Sequence, residues 1–201
     1  MAHSLQSVFS GDADLEIKTR VNALLLTQER VLIAIDGNCC AGKTTMASRL
    51  GSLLEANVFH MDDFFLQPQM RTQERLNQPG GNVDAERFLQ QVLTPASRGE
   101  ALNVCKYDCH TDRLLPPVPV QPRRVVIVEG AYSLYPLLAP YYDIKIFCSI
   151  DPALQSARIL ARNGSDALPM FQQRWIPLEN KYFQALDILA QCDIVIDSME
   201  N

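Results

Sequence analysis

The sequence predicts an α/β fold built on a parallel sheet, and two observations carry that expectation. Strand-like runs rich in Val and Ile recur at 31–36 (VLIAID), 56–62 (ANVFHMD), 102–107 (LNVCKY), 124–130 (RVVIVEG), 144–150 (IKIFCSI) and 193–198 (DIVIDS). Most are too continuously apolar to present one wet face, which is the pattern of parallel strands covered on both sides. Segments with helical spacing separate these runs, and alternation of strand and helix defines the class.

The elements follow in order. A first helix is expected over 13–29 through Leu15, Val21, Leu24 and Leu25, with Ser10 or Asp12 as its cap. The strand at 31–36 runs into a glycine turn and a second helix over 42–54. A third helix over 84–93 begins at Asp84, and a fourth over 152–162 has Asp151 before Pro152, a capping residue followed by a favoured first-turn residue. A last helical region covers about 168–191, with Pro177 marking a kink or a new start. The stretches 66–83 and 108–123 are polar or proline-rich and longer than ordinary connections, which is common where loops carry function.

A length of 201 residues fits a single domain, 1–201, with no repeat and no interdomain linker. Apolar residues make up 47% and charged residues 20%, a globular balance. The net charge of -5 gives no general attraction to nucleic acid or anionic lipid, so neither is expected as a partner. The N-terminal stretch has no secretion-signal pattern and no run reaches about 18 apolar residues, so a cytoplasmic setting is expected. Six cysteines without a disulfide-framework spacing then read as thiols, and Cys105, Cys109 and His110 lack the paired spacing of a zinc site.

The chemistry begins at GNCCAGKTT, residues 37–45. Gly37, Asn38, Cys39, Cys40, Ala41, Gly42, Lys43 and Thr44 satisfy G-x-x-x-x-G-K-[ST] between a buried strand and a helix, the context that a phosphate-binding P-loop requires, and Thr45 continues the run. Glycines let successive backbone N–H groups face one anion, and the helix N-terminus adds partial positive charge. Lys43 is expected on the β- and γ-phosphates and Thr44 on Mg²⁺, so ATP and Mg²⁺ are the expected ligands. Cys39 and Cys40 sit near Lys43 and a helix start, a setting that lowers thiol pKa and predicts sensitivity to oxidation or alkylation.

Ligands of open α/β sheets lie at the carboxyl ends of the strands. Asp62, Asp63 and Glu129 stand at two such ends, where one carboxylate could hold Mg²⁺ and another accept a proton from an attacking hydroxyl. The alternative is solvated strand-end or helix-cap residues. Arg158 and Arg162, spaced i,i+4 on one helix face, suit a shared anion better than mutual repulsion, and Arg174 is a third candidate cation.

Taken together, IAIDGNCCAGKTT, FHMDDFFL, GGNVDAERF, KYDCH, VVIVEG and IDPALQSARILARNG resemble the uridine kinase family of P-loop kinases over about residues 31–187. The resemblance implies a P-loop NTPase three-layer α/β/α sandwich with a five-stranded parallel sheet and a helical lid, here about 152–176. It implies ATP-dependent phosphorylation of a primary hydroxyl, typically the 5′-OH of a nucleoside such as uridine or cytidine. By position, Asp62 matches the general base, with Glu129, Asp62 and Thr44 near Mg²⁺. Asp84 matches a residue holding ribose hydroxyls, with helix capping as its alternative; Arg158 matches a contact to sugar or phosphate, and Arg162 lies in the lid. Tyr107 and His110 match pyrimidine-reading positions, although His110 follows Tyr107 more closely than in that pattern. Nicotinamide riboside, pantothenate and sugars stay open as acceptors, a homo-oligomer stays open, and a non-catalytic ATP-binding regulator is the competing class. No N-K-x-D guanine motif or ABC-type signature is present, and 37–42 lacks the G-x-G-x-x-G of dinucleotide binders.

Overall fold

The computed structural model describes residues 6–7 and 10–198. Its strands are β1 (Gln6–Ser7), β2 (Val31–Gly37), β3 (Asn57–His60), β4 (Leu102–Val104), β5 (Tyr107–Asp108), β6 (Arg113–Leu114), β7 (Val118–Val120), β8 (Val125–Glu129), β9 (Ile144–Ile150) and β10 (Ile194–Ser198). Its helices are α1 (Ser10–Leu24), α2 (Lys43–Leu53), α3 (Gln73–Asn77), α4 (Ala85–Phe88), α5 (Thr94–Arg98), α6 (Pro152–Asn163), α7 (Leu168–Met170) and α8 (Ile176–Ala185).

The main sheet has the order β1-β10-β9-β2-β8-β3, every pair parallel. Five strands make the expected sheet, and the two-residue β1 extends its edge. In β2, Val31, Ile33 and Ile35 enter the core beneath α1 and α2, whereas Leu32 and Ala34 enter the opposite core with Phe88, Val92 and Tyr182. Burial on both faces is why the run reads as continuously apolar, and it makes three layers. Among the described residues no helix is long and apolar enough to cross a membrane.

Two expectations shift. The run 102–107 is not in the main sheet: Leu102–Val104 pairs antiparallel with Val118–Val120, and Tyr107–Asp108 with Arg113–Leu114. Its burial alternates, Leu102 and Val104 in and Asn103 out, which is the pattern of a ribbon with one wet face. In α1 the buried seam is Ala13, Ile17 and Val21 at i,i+4 spacing, while Leu15 is 66% exposed.

Pro95 and Pro177, each inside a continuous helical run, follow a wide, π-type turn. Leu89–Leu93 precedes Pro95, and Phe171–Trp175 precedes Pro177. Proline has no N–H and its ring crowds the carbonyl one turn back, and a wider turn relieves that crowding without ending the helix.

Candidate active site

Because β2 is central and parallel to both neighbours, the carboxyl ends of β2, β3 and β8 converge. Register sets Ile35 beside Glu129 and Glu129 beside His60. The chain leaves β2 through Gly37, whose φ is 127° and where an added Cβ would stand 2.1 Å from the Cys148 carbonyl oxygen, so only glycine fits. Gly42, at φ 87°, opens α2, and a Cβ there would meet nothing within 4 Å, leaving the loop face open for an anion.

Lys43 is buried and its Nζ donates to the carbonyls of Gly37 and Asn38 at 2.8 and 2.7 Å. Thr44 Oγ1 donates to Glu129 Oε1 at 3.1 Å, and the same oxygen faces His60 Nδ1 at 2.5 Å. That carboxylate holds the His60 imidazole above its ordinary pKa. A hydroxyl beside a carboxylate is a set of hard oxygen donors, so Thr44 and Glu129 fit Mg²⁺.

Asp62 stands in the 3₁₀ turn Met61–Phe64 just past β3, with an exposed side chain that lines the cavity. Desolvation raises its pKa, the neighbouring Glu129 charge adds to this, and Lys43 opposes it. A cavity of about 950 Å³ brings together the loop from Cys39 to Thr45 with Asp62, Glu129, Arg158 and Arg162. Arg158 Nη1 donates to the Cys40 carbonyl at 3.2 Å, which places α6 against the loop.

Other expected residues lie outside that lining. Asp84 is 2% exposed and both its oxygens serve Arg87: Oδ1 accepts from the backbone N–H at 3.1 Å and Oδ2 from Nε at 3.0 Å. It caps α4 and closes a buried ion pair, so no free carboxylate faces the cavity there. Tyr107 is buried, and its hydroxyl lies between Arg71, at 2.5 Å, and Asp112. His110 is exposed in the turn between β5 and β6, with its backbone N–H on Asp108. Arg174 is exposed and stacks over the Trp175 ring, 4.9 Å from its centre. Asp63 pairs with Lys106 at 2.7 Å.

Two carboxylates escaped the sequence reading. Asp36 is fully buried and accepts from the N–H groups of Gly37, Tyr132 and Leu134 and from the Tyr182 hydroxyl, at 2.7 to 3.2 Å. It ties the end of β2 to the turn after β8 and to α8, and holds Tyr132 at the unusual φ of 76°. Glu179 on α8 is buried, lines the cavity, and accepts from the Cys39 N–H at 2.9 Å. Burial pushes it up to about 6, against the pull of Lys43. Asp36 could have been noticed as a charge inside an apolar strand, whereas nothing in the sequence around Glu179 marks it.

Comparison with known proteins gives this arrangement a family. The Phosphoribulokinase / Uridine kinase family matches residues 32–166. The chain belongs to that family, one of kinases with a P-loop fold. Over 123 residues it is 32% identical to the tRNA-specific adenosine deaminase subunit tad2 of Schizosaccharomyces pombe, a match covering 58% of this chain and 29% of that protein. The chain thus spans under a third of that relative's length. Its fold is similar to a structure described as a possible uridine kinase from Bacillus stearothermophilus, at TM-score 0.64 and 23% identity over 90% of this chain and 100% of the other. It is also similar to D-glycerate 3-kinase from Cryptococcus neoformans var. grubii, at TM-score 0.58 and 14% identity over 87% and 88%.

Proposed function

We propose that the protein is an ATP-dependent small-molecule kinase that passes the γ-phosphoryl group to a primary hydroxyl, with the 5′-OH of a nucleoside such as uridine or cytidine as the leading acceptor. The observation that carries this reading is the cavity that brings the glycine loop, Lys43 and the Asp62 carboxylate together.

The loop N–H groups and the start of α2 bind phosphate oxygens, and Lys43 Nζ leaves its two carbonyls to neutralise them. Asp62 accepts the proton of the acceptor hydroxyl as the oxygen attacks, and its raised pKa makes it a stronger base than an ordinary aspartate. Mg²⁺, held by Thr44 and Glu129 with Asp62 near, supplies neutralisation of phosphate charge when bound. Arg158 and Arg162 line the same cavity and meet the migrating negative charge. The segment 152–176 forms the lid, and its closing excludes water from the reacting groups. Phe65 and Trp175, ring centres 6.4 Å apart, and Phe171 offer flat apolar faces suited to an acceptor with a ring.

ADP release measured with uridine, cytidine, nicotinamide riboside, pantothenate and simple sugars, with product mass, identifies the acceptor. Asp62→Asn is expected to lower turnover by about 10²–10⁴-fold with ATP affinity retained. Near-normal turnover in that variant sinks the assignment, and ADP release that no acceptor stimulates favours a nucleotide-binding regulator instead.

A further inference from the structure

Asn82 lines the cavity on a backbone that is gripped from both sides. The Arg75 guanidinium, itself held by Glu86, donates to the carbonyls of Gly81 and Val83 at 3.3 and 3.1 Å. The Asn82 carbonyl accepts from the Leu66 N–H at 3.2 Å, and Phe65 bridges to Val83. The side chain is not held in the same way. Its Nδ2 is buried, and no atom meets it in hydrogen-bond geometry. The Tyr132 hydroxyl feels that amide but is not placed to accept from it. A buried donor without a partner is rare in a folded protein and points to a group that completes it.

We propose that Asn82 is a specificity-determining residue for the acceptor: its amide N–H reads an oxygen of an uncharged, ring-bearing hydroxyl compound. The proposal deepens the kinase reading and rests on it for what the cavity holds. The last torsion of asparagine is broad and roughly two-fold, so half a turn exchanges Nδ2 and Oδ1 at little cost. Oδ1 then accepts from the Tyr132 hydroxyl, and Nδ2 leaves its buried place for the one that Oδ1 held. Burial first, then the Glu179 charge, holds the Tyr132 hydroxyl above its ordinary pKa, so it keeps the proton that this bond uses. Tyr132 is the positioning residue and Asn82 the reader.

The chemistry around Asn82 sets the class of compound. Phe65, whose neighbour Leu66 pairs with Asn82, faces Trp175 with ring centres 6.4 Å apart. The cations that line the cavity, Lys43, Arg49, Arg158 and Arg162, stand on α2 and α6. Arg71, Arg75 and Arg87, closer to Asn82 in sequence, are engaged by Asp112, Glu86 and Asp84. The cavity charges that Tyr132 feels are the carboxylates Glu179 and Asp62. An anionic acceptor would meet like charge there, whereas a neutral ring with oxygens finds flat faces and an amide donor.

The test is calorimetric titration of uridine and cytidine, with ADP and Mg²⁺ present, into the full chain and its Asn82→Leu, Asn82→Asp and Tyr132→Phe variants. Leucine has about the shape of asparagine without its donor, and ionised aspartate offers acceptors only. Both Asn82 variants are expected to weaken nucleoside binding by about tenfold or more while ADP affinity holds. Tyr132→Phe should weaken it less, and should add nothing in the Asn82→Leu background, because the hydroxyl acts through the amide. Full nucleoside affinity in either folded Asn82 variant overturns the assignment, as does loss of nucleoside and ADP binding together. Absence of binding of both nucleosides to the parent chain overturns it too, as does tighter binding of pantothenate, an anionic hydroxyl compound without a ring. ADP release from ATP separates the two claims. Nucleoside binding that needs Asn82 but stimulates no ADP release leaves the reader standing and counts against phosphoryl transfer; stimulated release that Asn82→Leu does not alter does the reverse.

Discussion

The phosphate end and the stretch 66–123 are built on opposite plans. At the phosphate end one contiguous run, Gly37–Thr45, supplies backbone N–H groups and one lysine, and carboxylates brace it: the adjacent Asp36, and from far along the chain Glu129 on Thr44 and Glu179 on Cys39. In 66–123 the short ribbons and helices are held by charges paired with one another, Asp84 with Arg87, Asp112 with Arg71 and Glu86 with Arg75, and Lys106 ties the stretch to Asp63 just before it. The first plan leaves polar groups facing an open cavity. The second consumes these charges internally. A residue type common in active sites therefore means different things in the two regions.

The largest expected effect tests whether the phosphate end is one braced unit. Asp36→Ala strands three backbone donors and a tyrosine hydroxyl in the core and is expected to cost at least about 3 kcal/mol of stability. Urea unfolding and soluble yield measure it. Full stability in this variant would break the comparison, because the brace would be dispensable.

Next comes the far region. Asp84→Asn leaves Arg87 buried without its counter-charge, a loss of about 3 kcal/mol that lowers Tm by roughly 6–12 °C. Nucleotide affinity should hold. A raised KM for the acceptor at unchanged Tm would instead show a recognition carboxylate in the far region and erase the contrast.

The smallest effect sharpens it. Glu179 titrates near 6 in the folded chain against a reference of 4.5, so the folded state binds more protons between these values. The contribution of this group is fully present below about 4.5 and is lost as pH rises through about 6. Glu179→Gln keeps an oxygen for the Cys39 N–H and removes the buried charge. Its Tm should exceed that of the parent at pH 8, by the equivalent of about 2 kcal/mol at most, and the gap should close toward pH 4.5. A gap independent of pH would mean that the charge of Glu179 is not what the loop feels.

The same contrast explains what the sequence reveals. Phosphate recognition by consecutive backbone N–H groups leaves a contiguous signature, so Gly37, Gly42, Lys43 and Thr44 are legible, and the apolar strands announce the sheet. Glu179 reaches Cys39 across 140 positions, and no local pattern encodes such a meeting. Asp84 carries two compatible meanings, cap and ligand, and only the position of Arg87 shows how both oxygens are used. The run at 102–107 holds a readable clue in its polar Asn103, because alternation separates a ribbon from a strand buried on both faces.

The wide turn at Phe171–Trp175 bears on how α8 meets the loop. A π-type turn holds one residue more than an α-helical turn, and one residue is worth about 100° of rotation around a helix axis. Removing a single residue there would leave an unbroken helix with every downstream side chain turned by that angle, and Glu179 would point away from Cys39. The count of residues ahead of Pro177, as much as their identity, aims that carboxylate at the phosphate loop.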